Sequence, residues 1–163
     1  MDEPLCVIRN ASPSSLSTTT YDVLILRDRL LVIRGPGATA MMRGSGGHEV
    51  EPAGEPHLQR RRFPVAHEAL DIQAAIADER IRELLGRSED ELLARRDDNR
   101  RIGLAEIDAA RLDRHRLTCK LRLRLHDGSK LRWSFLDGPL GAEHDRLAGV
   151  LGLLLGPRFK GQG

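Results

Sequence analysis

The sequence predicts an α+β fold in which antiparallel strands dominate and an amphipathic helix follows them near the C-terminus. Three observations carry this expectation. Leu117-Thr118-Cys119-Lys120-Leu121-Arg122-Leu123-Arg124-Leu125 places an apolar residue or Cys at every odd position. A period of two is that of a strand with one buried and one wet face. Val23 to Leu26 and Leu30 to Ile33 are β-rich apolar runs around the polar break Arg27-Asp28-Arg29, the pattern of a hairpin. Leu147, Val150, Leu151 and Leu154 recur at i, i+3, i+4 and i+7, the stripe of an amphipathic helix.

The other elements follow in chain order. Leu5 to Ile8 reads as a short strand, and Asn10 to Thr20, rich in Ser, Thr and Pro, as a loop. Neither run of the Val23–Ile33 hairpin alternates, so its strands must be buried on both faces or covered on one by something else. Residues 35–65 are expected to be a flexible, Gly/Pro-rich loop. Six glycines and two prolines fall between Gly35 and Gly54, with Met41-Met42 as a small apolar island and Arg60-Arg61-Arg62 at the far end. Residues 66–97 read as a helical segment. A helix from Ala66 to Leu85 stops at Gly86, and Ser88 with Glu91 forms a capping box that starts a second, Glu89 to Arg96. Ile102 to Leu104 is a candidate strand. The uneven spacing of Ile107, Ala110 and Leu112 predicts a bulge or turn before a strand that runs to Arg114.

The turn after Leu125 has a length that can be argued. Residues directly opposite in a hairpin share a face. A two-residue Asp127-Gly128 loop would set Leu125 against Lys130 and cross faces. A three-residue loop, His126 to Gly128, sets Leu123 against Leu131 and Leu121 against Trp133. It also puts Gly128 at the left-handed position of a G1-bulge loop. The same register opposes Arg122 to Arg132 and Arg124 to Lys130. The last helix begins near Gly141 and ends at Gly156-Pro157.

At 163 residues the chain, 1–163, suits a single domain, and 3% aromatic residues make its core aliphatic. The net charge of +2 supplies no global field toward nucleic acid. Charge is nonetheless concentrated: Arg111 to Arg132 holds eight Lys/Arg and two Asp. No P-loop, GxSxG, HExxH, GxGxxG or CxxC motif is present, so no catalytic, metal or cofactor residues are assigned and no cofactor is expected. Cys119 occupies a core-facing tooth of its strand and reads as a buried small hydrophobe. The six histidines are scattered; His144, near a helix start, is expected to face water. The N-terminal residues lack the pattern of a signal peptide, and no apolar run reaches about 20 residues. The default location is the cytoplasm.

Two stretches resemble bacterial pleckstrin-homology-like domains, including their GRAM-like relatives. Leu24 to Arg34, LILRDRLLVIR, is similar to the "L-x-x-T-D-x-R-L-x-V" hairpin of the GRAM-like group, with Arg27 where Thr is usual. Ile102 to Phe135 resembles "I-P-x-x-E-I-x-x-V-x-L…L-x-I-x-x-x-D-G", with Gly103 where Pro is common. With the final helix this covers about half of the chain. The resemblance implies a bent antiparallel sheet forming an open barrel capped by the C-terminal helix, with 66–97 as a helical insertion.

The site-like feature is a basic ladder. Lys120, Arg122, Arg124, Lys130 and Arg132 should project from one sheet face. Like charges directly opposite destabilise a sheet, so the pattern calls for nearby anions. These are either acids of the helical segment or a partner; failing both, the ladder is a plain solvated face. The expected partner is an acidic protein surface or an anionic lipid surface. Nucleic acid is disfavoured, because Trp133 and Phe135 point to the other face and leave no stacking platform. The function expected is a non-catalytic interaction module. The alternative is a small enzyme or small-ligand-binding protein using a cleft beside the helical insertion.

Overall fold

The run from Val23 to Ile33 is apolar without alternation because its strands are covered on both sides. A computed structural model describes residues 2–14, 16–35, 66–137 and 142–162, for 66–74 the backbone alone. Four strands, β1 (Cys6–Ala11), β2 (Tyr21–Ile25), β3 (Arg29–Arg34) and β4 (Arg100–Gly103), pair antiparallel in that order as sheet A. The register Val23↔Val32, Leu24↔Leu31, Ile25↔Leu30 sorts the hairpin into two apolar faces. Val23, Ile25, Leu30 and Val32 join the main core, whereas Leu24, Leu26, Leu31 and Ile33 form a second cluster. The second cluster is completed by Ile81 and Leu84 of α1 (Ala66–Leu85) and Leu92 of α2 (Glu89–Ala94). Each fully buried leucine or isoleucine stabilises such a layer by about 1.5–3 kcal/mol.

Polar groups fix where the helices lie. Asp22, 1% exposed, receives a two-pronged guanidinium from Arg80 of α1, Nε to Oδ2 at 2.7 Å and Nη2 to Oδ1 at 2.8 Å. Asn10 joins this group: its backbone N–H donates to Asp22 Oδ1, and its own Oδ1 accepts from Arg80. Asn10 has a φ of 53°, a left-handed conformation that asparagine tolerates better than most residues. Ser88 and Glu91 form the capping box that starts α2. Beyond α2, buried Asn99 donates to Leu92 O and accepts from the Arg34 N–H, both at 2.7 Å, tying the helix end to β3.

Sheet B contains β5 (Ile107–Arg114), β6 (Thr118–Leu125), β7 (Lys130–Leu136) and β8 (Phe159–Gln162), ordered β7-β6-β5-β8. A 3-10 turn, Leu104–Glu106, precedes β5, and the β5–β6 register shifts between Ile107 and Ala109, as the uneven apolar spacing predicts. The β6–β7 register pairs Leu121 with Trp133 and Leu123 with Leu131, so the loop has three residues. Gly128 sits at φ +86°, and its N–H donates to Leu125 O. β8 was not expected, and it pairs parallel to β5 in a sheet that is otherwise antiparallel.

The strands make two sheets and not one closed barrel. A single antiparallel bridge, Ser12↔Ser134, joins the end of β1 to β7. α3 (Ala142–Leu155) packs against β1, β5 and β8, and its Leu147, Leu151 and Leu155 are buried in the core shared by both sheets. Gly156, at φ +53°, and Pro157 follow it. The expectation that His144 faces water fails: it is 4% exposed. Its N–H donates to Asp137 Oδ1, which folds the first turn of α3 back onto the end of β7. The expected flexible loop lies, from residue 36 to 65, outside the described residues, together with Met41-Met42, Arg60–Arg62, His48 and His57.

Candidate functional site: a basic face on sheet B

The alternation of β6 sends Cys119, Leu121, Leu123 and Leu125 into the core and leaves Arg122 and Arg124 exposed and Lys120 half-buried. On β7, Trp133 and Phe135 are buried while Lys130 and Arg132 are exposed. The five residues of the expected ladder therefore share one face. Arg122 lies opposite Arg132 and Arg124 opposite Lys130, as the three-residue loop requires.

The neighbouring strands extend the ladder further than sequence reasoning did. Arg122 lies opposite Arg111 of β5, and Arg111 opposite Lys160 of β8. Lys160, Arg111, Arg122 and Arg132 thus form one row of exposed cations across all four strands. With strands about 4.8 Å apart, the row spans roughly 14 Å. Arg111 was within reach of the sequence, because it lies in the basic stretch from Arg111 to Arg132. Lys160 was not, because it enters the face only through the unexpected parallel strand.

The face supplies a small part of its own countercharge. Asp113, 8% exposed, accepts from Arg111 at 2.7 Å and from Arg122 at 2.8 Å, and Asp108 pairs with Arg124. Among the described residues, Lys120, Lys130, Arg132 and Lys160 form no ion pair. No acid of the helical segment pairs with the ladder among the described residues. Asp78 pairs with Arg9, and Glu89 with Arg29 and Arg101, all cations of sheet A. The physical reason is placement: the helices cover the face of sheet A opposite the core shared with sheet B.

A cleft of about 910 Å³ on this face is lined by Arg111, Arg122, Arg124, Arg132, Pro157 and Lys160. Arg158, which also lines it, donates to Leu104 O and Ile107 O. A second groove, of about 550 Å³, runs on the other side of β7 and touches Asp97 and Asp98 after α2.

The cysteines are poor nucleophiles. Burial first, then the adjacent Asp137 carboxylate, pushes the Cys119 thiol up to about 12, and burial raises Cys6 as well. Neither is a thiolate at neutral pH. Among the described residues no three His, Cys, Asp or Glu side chains converge in a way that could hold a metal ion. No helix among them is long and apolar enough to cross a membrane. No family model, curated protein or solved structure matches the chain.

Proposed function

We propose that the chain is a non-catalytic, pleckstrin-homology-like interaction module that docks an acidic protein surface on the basic face of sheet B. The observation that carries this reading is the row Lys160–Arg111–Arg122–Arg132, in which Asp113 bonds Arg111 and Arg122 while Arg132 and Lys160 form no ion pair among the described residues. Cations held opposite one another repel, so an anionic ligand gains both attraction and relief of that repulsion. Four of the seven cations of the face, Arg111, Arg122, Arg124 and Arg132, are arginines, whose planar fork matches a carboxylate with two parallel hydrogen bonds. The cleft favours a protein over a bilayer, because a protruding acidic segment can fill it and a flat headgroup plane leaves it empty. The order of four strands, three strands and a helix, with a helical insertion before β4, supports the pleckstrin-homology-like assignment alongside the LILRDRLLVIR and DG-turn motifs.

The test compares wild type with the double variant Arg122→Glu/Arg132→Glu. Binding to immobilised poly-L-glutamate should be saturable, should weaken from 50 to 300 mM salt because exposed charges are screened over about 10 Å at 0.1 M, and should be lost in the variant. Circular dichroism should show both proteins equally folded. Equal binding by the variant would refute the reading. Co-sedimentation with phosphatidylserine vesicles in preference to polyglutamate would assign the face to membranes instead.

A further inference from the structure

β7 is an edge strand. One side pairs with β6, and among the described residues the other meets only Ser12, through the reciprocal bonds Ser12 N–H to Ser134 O and Ser134 N–H to Ser12 O, each 2.8 Å. Those bonds orient the whole edge. In an antiparallel strand, residues two apart point their backbone groups the same way. Since Ser134 points away from β6, so do Arg132 and Lys130. Among the described residues no backbone partner reaches either of them. With respect to the described residues, their N–H and C=O groups are a template for another strand.

The two sides of that template differ. Side chains of Lys130 and Arg132 belong to the basic face. Leu131 and Trp133 line the second groove with Val32, Tyr21 and Pro13, and the groove is mixed: Lys130 and Arg132 border it, and Arg100, Asp97 and Asp98 line it too. Asp98 is already engaged by the Tyr21 hydroxyl and by Arg34, each at 3.1 Å. An incoming strand would place alternate residues against the cations and against the apolar part of this lining. Pairing of two β7 edges from two copies would oppose cation to cation, so a second copy of this chain is a poor occupant.

We propose that the Lys130–Arg132 edge of β7 accepts an extended segment of a partner protein as an added strand, and that this segment alternates acidic with apolar residues. The inference rests on the reading of the basic face as a docking surface for an acidic protein, and it names the form the partner takes there. Main-chain hydrogen bonds would supply affinity, and the two-sided lining would supply sequence preference.

The probe is a blocked eight-residue synthetic peptide alternating glutamate with valine and leucine. Its control has the same composition, with the glutamates in one block and the apolar residues in another. Trp133, the only tryptophan, lines the groove and reports binding by fluorescence. The alternating peptide should bind the full chain at least tenfold more tightly than the control. It should also slow amide exchange at Lys130 and Arg132 at least tenfold. Arg132→Pro removes the outward N–H, a change edge strands tolerate. It should weaken binding at least tenfold more than Arg132→Gln, which removes the charge alone. If Arg132→Pro does not fold, amide exchange in the wild-type protein decides.

Equal affinity for the two peptides, no binding of the alternating one, or unchanged exchange at Lys130 and Arg132 would overturn the inference. If both peptides bind equally and both are lost in Arg122→Glu/Arg124→Glu, the basic face stands and the added strand falls. If the alternating peptide protects the edge amides with the same affinity in that variant, the added strand stands without the basic face, and the proposal in its acidic form fails.

Discussion

The strands of sheet A carry five cations and those of sheet B eight, and the two sheets dispose of them differently. On sheet A, Arg9, Arg29, Arg34 and Arg101 each meet a carboxylate, from Asp78, Glu89 and Asp98, and only Arg100 forms no ion pair among the described residues. Those acids belong to α1, α2 and the turn that follows, so the chain folds its own countercharge over the sheet. On sheet B, Arg111, Arg122 and Arg124 meet Asp108 and Asp113 of the sheet itself, Arg114 at the end of β5 meets Asp137 and Asp145, and Lys120, Lys130, Arg132 and Lys160 form no ion pair among the described residues. Exposed ion pairs stabilise a fold by only about 0–1 kcal/mol each. The contrast therefore concerns occupancy more than stability: one sheet has its covering layer in the chain, and the other presents a surface that fits an acidic one.

The largest effect should come from breaking what the two sheets share. Leu151 is fully buried in their common core. Leu151→Asp would bury an unpaired carboxylate there, a loss of more than about 4 kcal/mol, and thermal melting should show no cooperative transition. An unchanged melting curve would mean that α3 is peripheral and the two sheets are stabilised separately.

A smaller effect is expected where the helical layer meets sheet A. Asp22→Ala leaves the Arg80 guanidinium, 17% exposed, without its two-pronged partner. Removing one member of a buried pair costs about 3 kcal/mol, which urea denaturation would register as a lower midpoint. Binding at sheet B, measured on the protein still folded, should be unchanged, because the lesion lies on the other sheet. A loss of polyglutamate binding in the folded fraction would show that the sheets are coupled.

The smallest effect sharpens the contrast by raising the field of sheet B. Asp113→Asn removes the carboxylate shared by Arg111 and Arg122 while preserving its shape. Stability should fall by about 1 kcal/mol or less. Affinity for polyglutamate should rise roughly threefold, because the ligand no longer competes with an internal anion. A fall in affinity would mean that Asp113 orients the two arginines for their ligand, and that its removal disorders the row.

Much of this arrangement was legible in the sequence where the physics is local. Face parity and the position of Gly128 set the β6–β7 loop length, and with it the opposition of Arg122 to Arg132. The unbroken apolar run through β2 and β3 announced two covered faces, and Ser88 with Glu91 announced the start of α2. Non-local pairings were not legible. Phe159–Gln162 has one large apolar residue in four and pairs with a strand about fifty residues earlier, so neither β8 nor the place of Lys160 in the basic row could be read. Asp113 looked like one acid in a basic stretch, and only the β5–β6 register brings it to Arg122. His144 is buried by the fold-back of α3 onto Asp137, a contact with no periodic signature.

The claim at the centre of this account is that sheet B, and not sheet A, meets the acidic partner. The most direct measurement is a titration of the 15N-labelled protein with a glutamate-rich peptide, followed residue by residue through backbone amide shifts. Shifts should concentrate at Lys120, Arg122, Arg124, Lys130 and Arg132, with Arg111 and Lys160, and should collapse as salt is raised. Arg9, Arg29 and Arg101, whose charges are already met within the chain, should not move. Shifts centred on those sheet A arginines, or spread evenly over both sheets, would contradict the account.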